Sequence, residues 1–148
     1  WWRSGDAGRL GTGGLELLGR LDGAIHSGGE TVFPEQLEQR LTAAAAVAHL
    51  PLQAVLLLAV ADREWGQRLV ALVRPCEPQQ GAGLLPRLQH ICADWAPAER
   101  PRRWLLCPQL APSPLGKWQR ARWQRWLTAL EAGHADLSAC ADEHLQRE

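Results

Sequence analysis

The sequence contains no methionine and no tyrosine, yet it carries eight tryptophans. A translated chain opens with methionine, whereas this one opens Trp1-Trp2, so its 148 residues are expected to be a piece of a longer protein. Net charge is missing as well. Sixteen basic side chains balance sixteen acidic ones, which removes the long-range attraction to nucleic acid or anionic membrane that a basic excess provides. No apolar run approaches the roughly 20 residues needed to cross a bilayer, and no basic-then-apolar signal opens the chain. Cysteines stand at 76, 92, 107 and 140 without a C-x-x-C pair. That spacing sets aside a zinc ribbon or a redox motif and fits reduced thiols in a cytoplasmic protein.

Several chemical signatures are also absent. Gly116-Lys117 is followed by Trp118, and Ala111 stands where a phosphate-binding P-loop needs its first glycine. Gly11-Thr12-Gly13 leads to Glu16, where a dinucleotide fingerprint needs its third glycine. Histidines 26, 49, 90, 134 and 144 make no helical metal pair, and no G-x-S-x-G nucleophile elbow occurs. No metal-ligand set is expected.

What is present suits one domain: 46% of residues are hydrophobic and 22% charged, and a chain of this length buries roughly 68–70% of its unfolded surface. Gly8–Leu10 and Leu15–Leu18 flank Gly11-Thr12-Gly13-Gly14 as a small β-hairpin. Ser27-Gly28-Gly29-Glu30 reads as a loop whose bare backbone lets a ligand approach closely. A helix is predicted from Pro34, with Glu35 and Glu38 near its positive start and an apolar face of Leu37, Leu41, Ala44, Ala45 and Ala48. Ala54–Val60 and Arg68–Val73 are predicted strands joined by a turn over Ala61–Gln67. Pro75–Gly83 is a predicted loop. Leu84, Leu85, Leu88, Ile91, Cys92 and Trp95 mark a second amphipathic helix, and Arg103–Cys107 a third strand. A last helix is expected from about Lys117 to Leu130, followed by a polar tail expected to fray. This order of elements is an α+β domain.

An ordered set of short motifs runs through these elements. Ser4-Gly5-Asp6 comes first, then Gly19-Arg20-Leu21-Asp22, then Ser27-Gly28-Gly29-Glu30 with Pro34 and Glu38 beyond. Glu64-Trp65-Gly66-Gln67-Arg68 lies between two apolar strands, Arg100-Pro101-Arg102 precedes a third, and Pro112-Ser113-Pro114-Leu115-Gly116-Lys117 closes the set. Together, over about residues 1 to 130, they resemble the C-terminal part of the adenylate-forming enzymes, the superfamily of acyl- and aryl-CoA synthetases, luciferases and peptide-synthetase adenylation domains. The resemblance implies a domain plan: 1–21 end the large N-terminal domain, 22–131 form a small lid with a short β-hairpin and a three-stranded sheet flanked by helices, and 132–148 are a tail. It also implies ATP, Mg2+ and CoA as cofactors or substrates, bound mainly by or with a large domain. That domain is itself a partner, and a homodimer through it is left open.

Roles follow from the same resemblance. Asp6 and Arg20 match contacts to the ribose of ATP, and a carboxylate is suited to accept two hydroxyl protons. Asp22 matches the hinge. Gly28 and Gly29 match the loop lining the pantetheine tunnel, with Glu30 beside them and Trp65 near the thioester-forming site. Arg100 and Arg102 match contacts to CoA phosphates, although Ala98 stands where the family often has an aromatic residue. Lys117 matches the lysine that bridges the substrate carboxylate and the α-phosphate. A positioned ammonium offsets charge that builds when two anions meet.

Within the family, the Ser-Gly-Gly-Glu loop and the Pro34–Glu38 helix start look like the o-succinylbenzoate–CoA ligase branch of menaquinone and phylloquinone synthesis. They look nearly as much like benzoate-type aryl-CoA ligases, and a generic acyl-CoA synthetase or a carrier-loading adenylation domain is the alternative enzyme. By itself the chain is expected not to adenylate. A different class of function would be a binding module using the Lys117–Trp126 segment, where Arg and Trp interleave. The zero net charge opposes it.

Overall fold

A computed structural model describes residues 5–20 and 23–133. The hinge candidate Asp22 and residues 134–148, nearly all of the expected tail, lie outside them. The chain opens as expected with a hairpin, β1 (Asp6–Gly11) and β2 (Gly14–Arg20), whose register pairs Gly11 with Gly14 at the turn and Asp6 with Arg20 at the open end.

The segment read as a loop at Ser27–Glu30 is instead the turn of a second hairpin, β3 (Ile25–Ser27) and β4 (Glu30–Val32). Gly28 and Gly29 take φ of 57° and 84°, the positive values that a two-residue hairpin turn demands. α1 (Pro34–Val47) starts where its proline predicts.

β5 (Leu52–Asp62) and β6 (Gly66–Pro75) run longer than the predicted strands, leaving only Arg63–Trp65 between them. The helix α2 (Gly81–Cys92) takes the end of the expected loop, because Pro78–Gln80 forms a 3-10 turn closed by a reciprocal Glu77–Gln80 capping box. It ends before Trp95, which is buried all the same. Finally, β7 (Arg103–Leu106) is followed by a long loop, and α3 (Arg120–Glu131) begins three residues after Lys117. Lys117 is therefore a loop residue and not a helix-start lysine.

The three predicted strands lie together as expected, and the β3–β4 hairpin extends them to five. The order is β4-β3-β6-β5, with β7 parallel to β6 over Val70–Val73. β6 and β7 thus frame α2 as a β-α-β crossover. Helices cover both faces. Val55, Leu57, Leu69, Ala71 and Val73 pack toward α1 and α2, whereas Leu56, Leu58, Val60, Val70 and Leu72 pack toward α3. This explains the unbroken apolar runs, since a strand buried on both sides has no polar face to alternate with. Neighbouring Leu56 and Leu57 are both fully buried, and each contributes about 1.5–3 kcal/mol to stability.

Candidate active site

The loop between β7 and α3 carries Lys117 at the end of a tight turn. Gly116 N–H donates to Ser113 O at 2.8 Å, Ser113 N–H donates to Lys117 O at 2.7 Å, and Lys117 N–H reaches Ser113 Oγ at 3.3 Å. Gly116 sits at φ 77°, a conformation that lets the chain double back here. The turn leaves the Lys117 side chain exposed at the rim of an open groove of about 1060 Å³, lined also by Arg20, Glu35, Gln39, Ala54 and Arg74. Arg20 and Asp6, the two expected ribose contacts, are cross-strand partners at the open end of the first hairpin. The structure therefore brings Asp6, Arg20 and Lys117 to one end of the domain.

One residue that lines this groove differs from its sequence-based expectation. Glu38 is buried, at 8% exposure, and does not serve the helix start. Its Oε1 accepts the Leu57 N–H at 2.8 Å, and its Oε2 lies 2.5 Å from Arg120 Nη2. Burial pushes its carboxyl above the usual 4.5, while the hydrogen bond and charge of Arg120 and the Leu57 N–H pull it back.

At the opposite end of β5, Trp65, Gly28, Asp62 and Arg102 form a second cluster. Gly28 N–H donates to Trp65 O at 2.9 Å, and a Cβ on Gly28 would stand only 2.6 Å from Trp65 Cε3. The Arg68 guanidinium covers the Trp65 ring at 4.5 Å, a cation–π contact. Beside Gly29 there is open space, and Glu30 is exposed. Asp62 Oδ1 accepts the N–H groups of Glu64 and Trp65, both at 2.9 Å, and its Oδ2 lies 3.7 Å from Arg102. Arg102 also pairs with Glu131 at 3.4 Å. Arg100 lines a small pocket with Gln89, Cys92 and Trp104. Burial pushes the Cys92 thiol up to about 11, so it stays neutral there. Ala98 is a core residue at 2% exposure.

Asp62 gives a direct check on how this turn is held. The Trp65 N–H, the Glu64 N–H and the charges of Arg102 and Arg68 hold its carboxyl below the usual 3.8. A depressed pKa contributes stability that is present above the unfolded value and is lost as pH falls through the folded one. Asp62→Asn is therefore expected to lower the urea midpoint of the chain near neutrality, with the gap to the parent closing as pH drops below 3.8. A gap that stays constant across that range would show that the carboxylate charge does not matter.

Composition holds one further signal for the Lys117 groove. Lys117 is the only lysine in the chain, every other basic side chain being arginine. A compact ammonium is not interchangeable with a planar guanidinium, so a lone lysine marks a position that asks for one. In the Arg/Trp segment, by contrast, Trp118 lines the Lys117 groove, and the other two tryptophans offer no binding face. Trp123 and Trp126 are 3% and 1% exposed and meet edge to face, with ring centroids 6.0 Å apart. Among the described residues no group of three or more His, Cys, Asp or Glu side chains is placed to hold a metal ion. No helix among them is long and apolar enough to cross a membrane.

Fold and comparison together define the class first: this small α+β unit, with three helices and mixed sheets, matches the C-terminal domain of the adenylate-forming enzymes. It aligns with a structure of E. coli MenE holding an analogue of OSB-AMS at a TM-score of 0.61 and 30% identity, over 86% of this chain and 26% of that one. More particularly, the chain is a homologue of the AMP-forming CoA ligases. It is 36% identical over 123 residues to the 4-chlorobenzoate–CoA ligase of Pseudomonas sp. (strain CBS-3), covering 82% of this chain and 22% of the relative. It is 32% identical over 127 residues to the 2-succinylbenzoate–CoA ligase of Salmonella typhimurium, covering 86% and 26%. The chain thus spans about a quarter of the length of these curated relatives. No protein-family model matches it.

Proposed function

We propose that this chain is the C-terminal lid of a cytoplasmic, ATP-dependent acid–thiol ligase, which adenylates a carboxylic acid and passes the acyl group to CoA. In this reading 1–21 close a large domain, 22–131 are the lid and 132–148 a tail. The observation that carries it is the exposed Lys117 on its Ser113–Lys117 turn, at a groove it shares with Arg20. Lys117 would offset the charge of carboxylate and α-phosphate as they meet, with Asp6 and Arg20 on the ribose. Gly28, Gly29, Glu30, Trp65, Arg100 and Arg102 would serve the CoA step, and Asp22 the hinge.

The spacing of the two clusters supports a lid that turns. Ala54 lines the Lys117 groove, and Asp62 anchors the Trp65 turn. They lie eight positions apart on β5, about 26 Å for an extended strand. Two sets of groups held that far apart on one sheet would be exchanged at the same atom by a rotation of the lid.

For the acid we favour o-succinylbenzoate, which the 2-succinylbenzoate–CoA ligase relative supports. The 4-chlorobenzoate–CoA ligase relative supports the aryl-CoA alternative. Pyrophosphate release by the ligase carrying this lid, measured with o-succinylbenzoate, 4-chlorobenzoate, benzoate and a medium-chain fatty acid, separates them. The highest kcat/KM is expected with o-succinylbenzoate. A higher value with either benzoate moves the assignment to the aryl-CoA ligases, and no release with any acid removes the ligase reading.

A further inference from the structure

The Lys117 loop is fastened at both ends. Upstream, Leu110 is fully buried, and its carbonyl accepts a bond from Arg74 Nη1 at 3.3 Å. Downstream, Arg120 opens α3 and turns back onto α1 and β5. Its Nη2 lies 2.5 Å from Glu38 Oε2, its Nη1 donates to Leu57 O at 3.4 Å, and its Nε lies 3.6 Å from Glu35 Oε1. Since Glu38 also accepts the Leu57 N–H, the pair takes both backbone groups that Leu57 offers. Lys117 stands three positions before Arg120 and seven after Leu110. Three residues span at most about 10 Å, so the seat of Arg120 restricts where the ammonium can go.

We infer that Glu38 and Arg120 are positioning residues for Lys117: the pair registers the start of α3 against Leu57 and so sets where the lysine is presented. This rests on the reading of Lys117 as the adenylation lysine. Holding α3 on the sheet does not require the pair, because Trp123, Trp126 and Leu127 are buried there and Gln124 Nε2 donates to Ala59 O at 2.8 Å. A guanidinium suits the task, since its planar fork serves the Glu38 carboxylate and the Leu57 carbonyl at once. A flexible ammonium keeps the charge but not that geometry.

The test uses Arg120→Lys and Glu38→Gln in the ligase, each alone and combined with Lys117→Ala, with thermal unfolding followed in parallel. Either substitution is expected to slow acyl-adenylate formation on the order of 10–100-fold, a cost typical of a displaced catalytic group. The loss should fall on kcat, with KM for the acid little changed. Thioester formation from supplied acyl-adenylate should keep its rate. In the Lys117→Ala background neither change should slow adenylation further, because both act through the lysine. Equal loss in the two half-reactions, a loss that multiplies with Lys117→Ala, or unfolding of both variants would overturn the inference and leave the pair purely structural. If Lys117→Ala alone leaves adenylation intact, the reading of the lysine is what fails, and the positioning role falls with it.

Discussion

Lys117→Ala is expected to slow acyl-adenylate formation on the order of 10²–10³-fold, ~2.7–4 kcal/mol, the usual cost of losing one charge-stabilising donor. The expectation rests on selectivity. The side chain is exposed, so its removal should change folding stability by no more than about 0.5 kcal/mol. The turn beneath it is built from the backbone and Ser113 Oγ, none of which the substitution removes. In the proposed cycle the lysine has left the reacting atoms before the thiol attacks, so thioester formation from supplied acyl-adenylate should be spared. Two half-reaction rates on one variant of the ligase measure this. Adenylation surviving within a few-fold, or both halves failing with the fold intact, would refute the assignment.

The second large effect is on stability and separates two adjacent glycines. Both sit at positive φ, so Gly29→Ala should cost about 1–2 kcal/mol from left-handed backbone alone. At Gly28 a Cβ would also stand 2.6 Å from Trp65 Cε3, and overpacking adds about 1–3 kcal/mol. Trp65 cannot easily yield, since Arg68 lies over its ring and its backbone N–H is tied to Asp62. Gly28→Ala is therefore expected to lose about 2–5 kcal/mol in urea unfolding of the chain. In combination with Trp65→Leu it should lose less than the sum of the two single changes. Equal costs at the two glycines, or strict additivity, would show that the Trp65 contact is not tight.

These particulars show which parts of the molecule could be read from the chain. The apolar runs at 54–60 and 68–73 and the proline at 34 announce β5, β6 and α1, because burial on both faces and a fixed φ are local properties. The strands β3 and β4 escaped, since three residues are too few to show alternation. The start of α3 was misplaced because no side-chain cap marks it. Motif order found Lys117, but the Glu38–Arg120 pair joins positions 82 apart, beyond any local spacing. One clue did exist: Glu38 interrupts the buried stripe of Pro34, Leu37, Leu41 and Ala45, and a carboxylate on an apolar face needs a partner.

The same polar contacts have a bearing on solubility. β5 is the last strand of its sheet, eleven residues long and almost wholly apolar, and an open edge of that kind is a template on which another chain can add a strand. Here three of the groups that a newcomer would use are already occupied: the Leu57 N–H by Glu38, the Leu57 carbonyl by Arg120 and the Ala59 carbonyl by Gln124. The middle of the strand is thus closed to self-association by three polar side chains, two of them from the helix that follows the Lys117 loop.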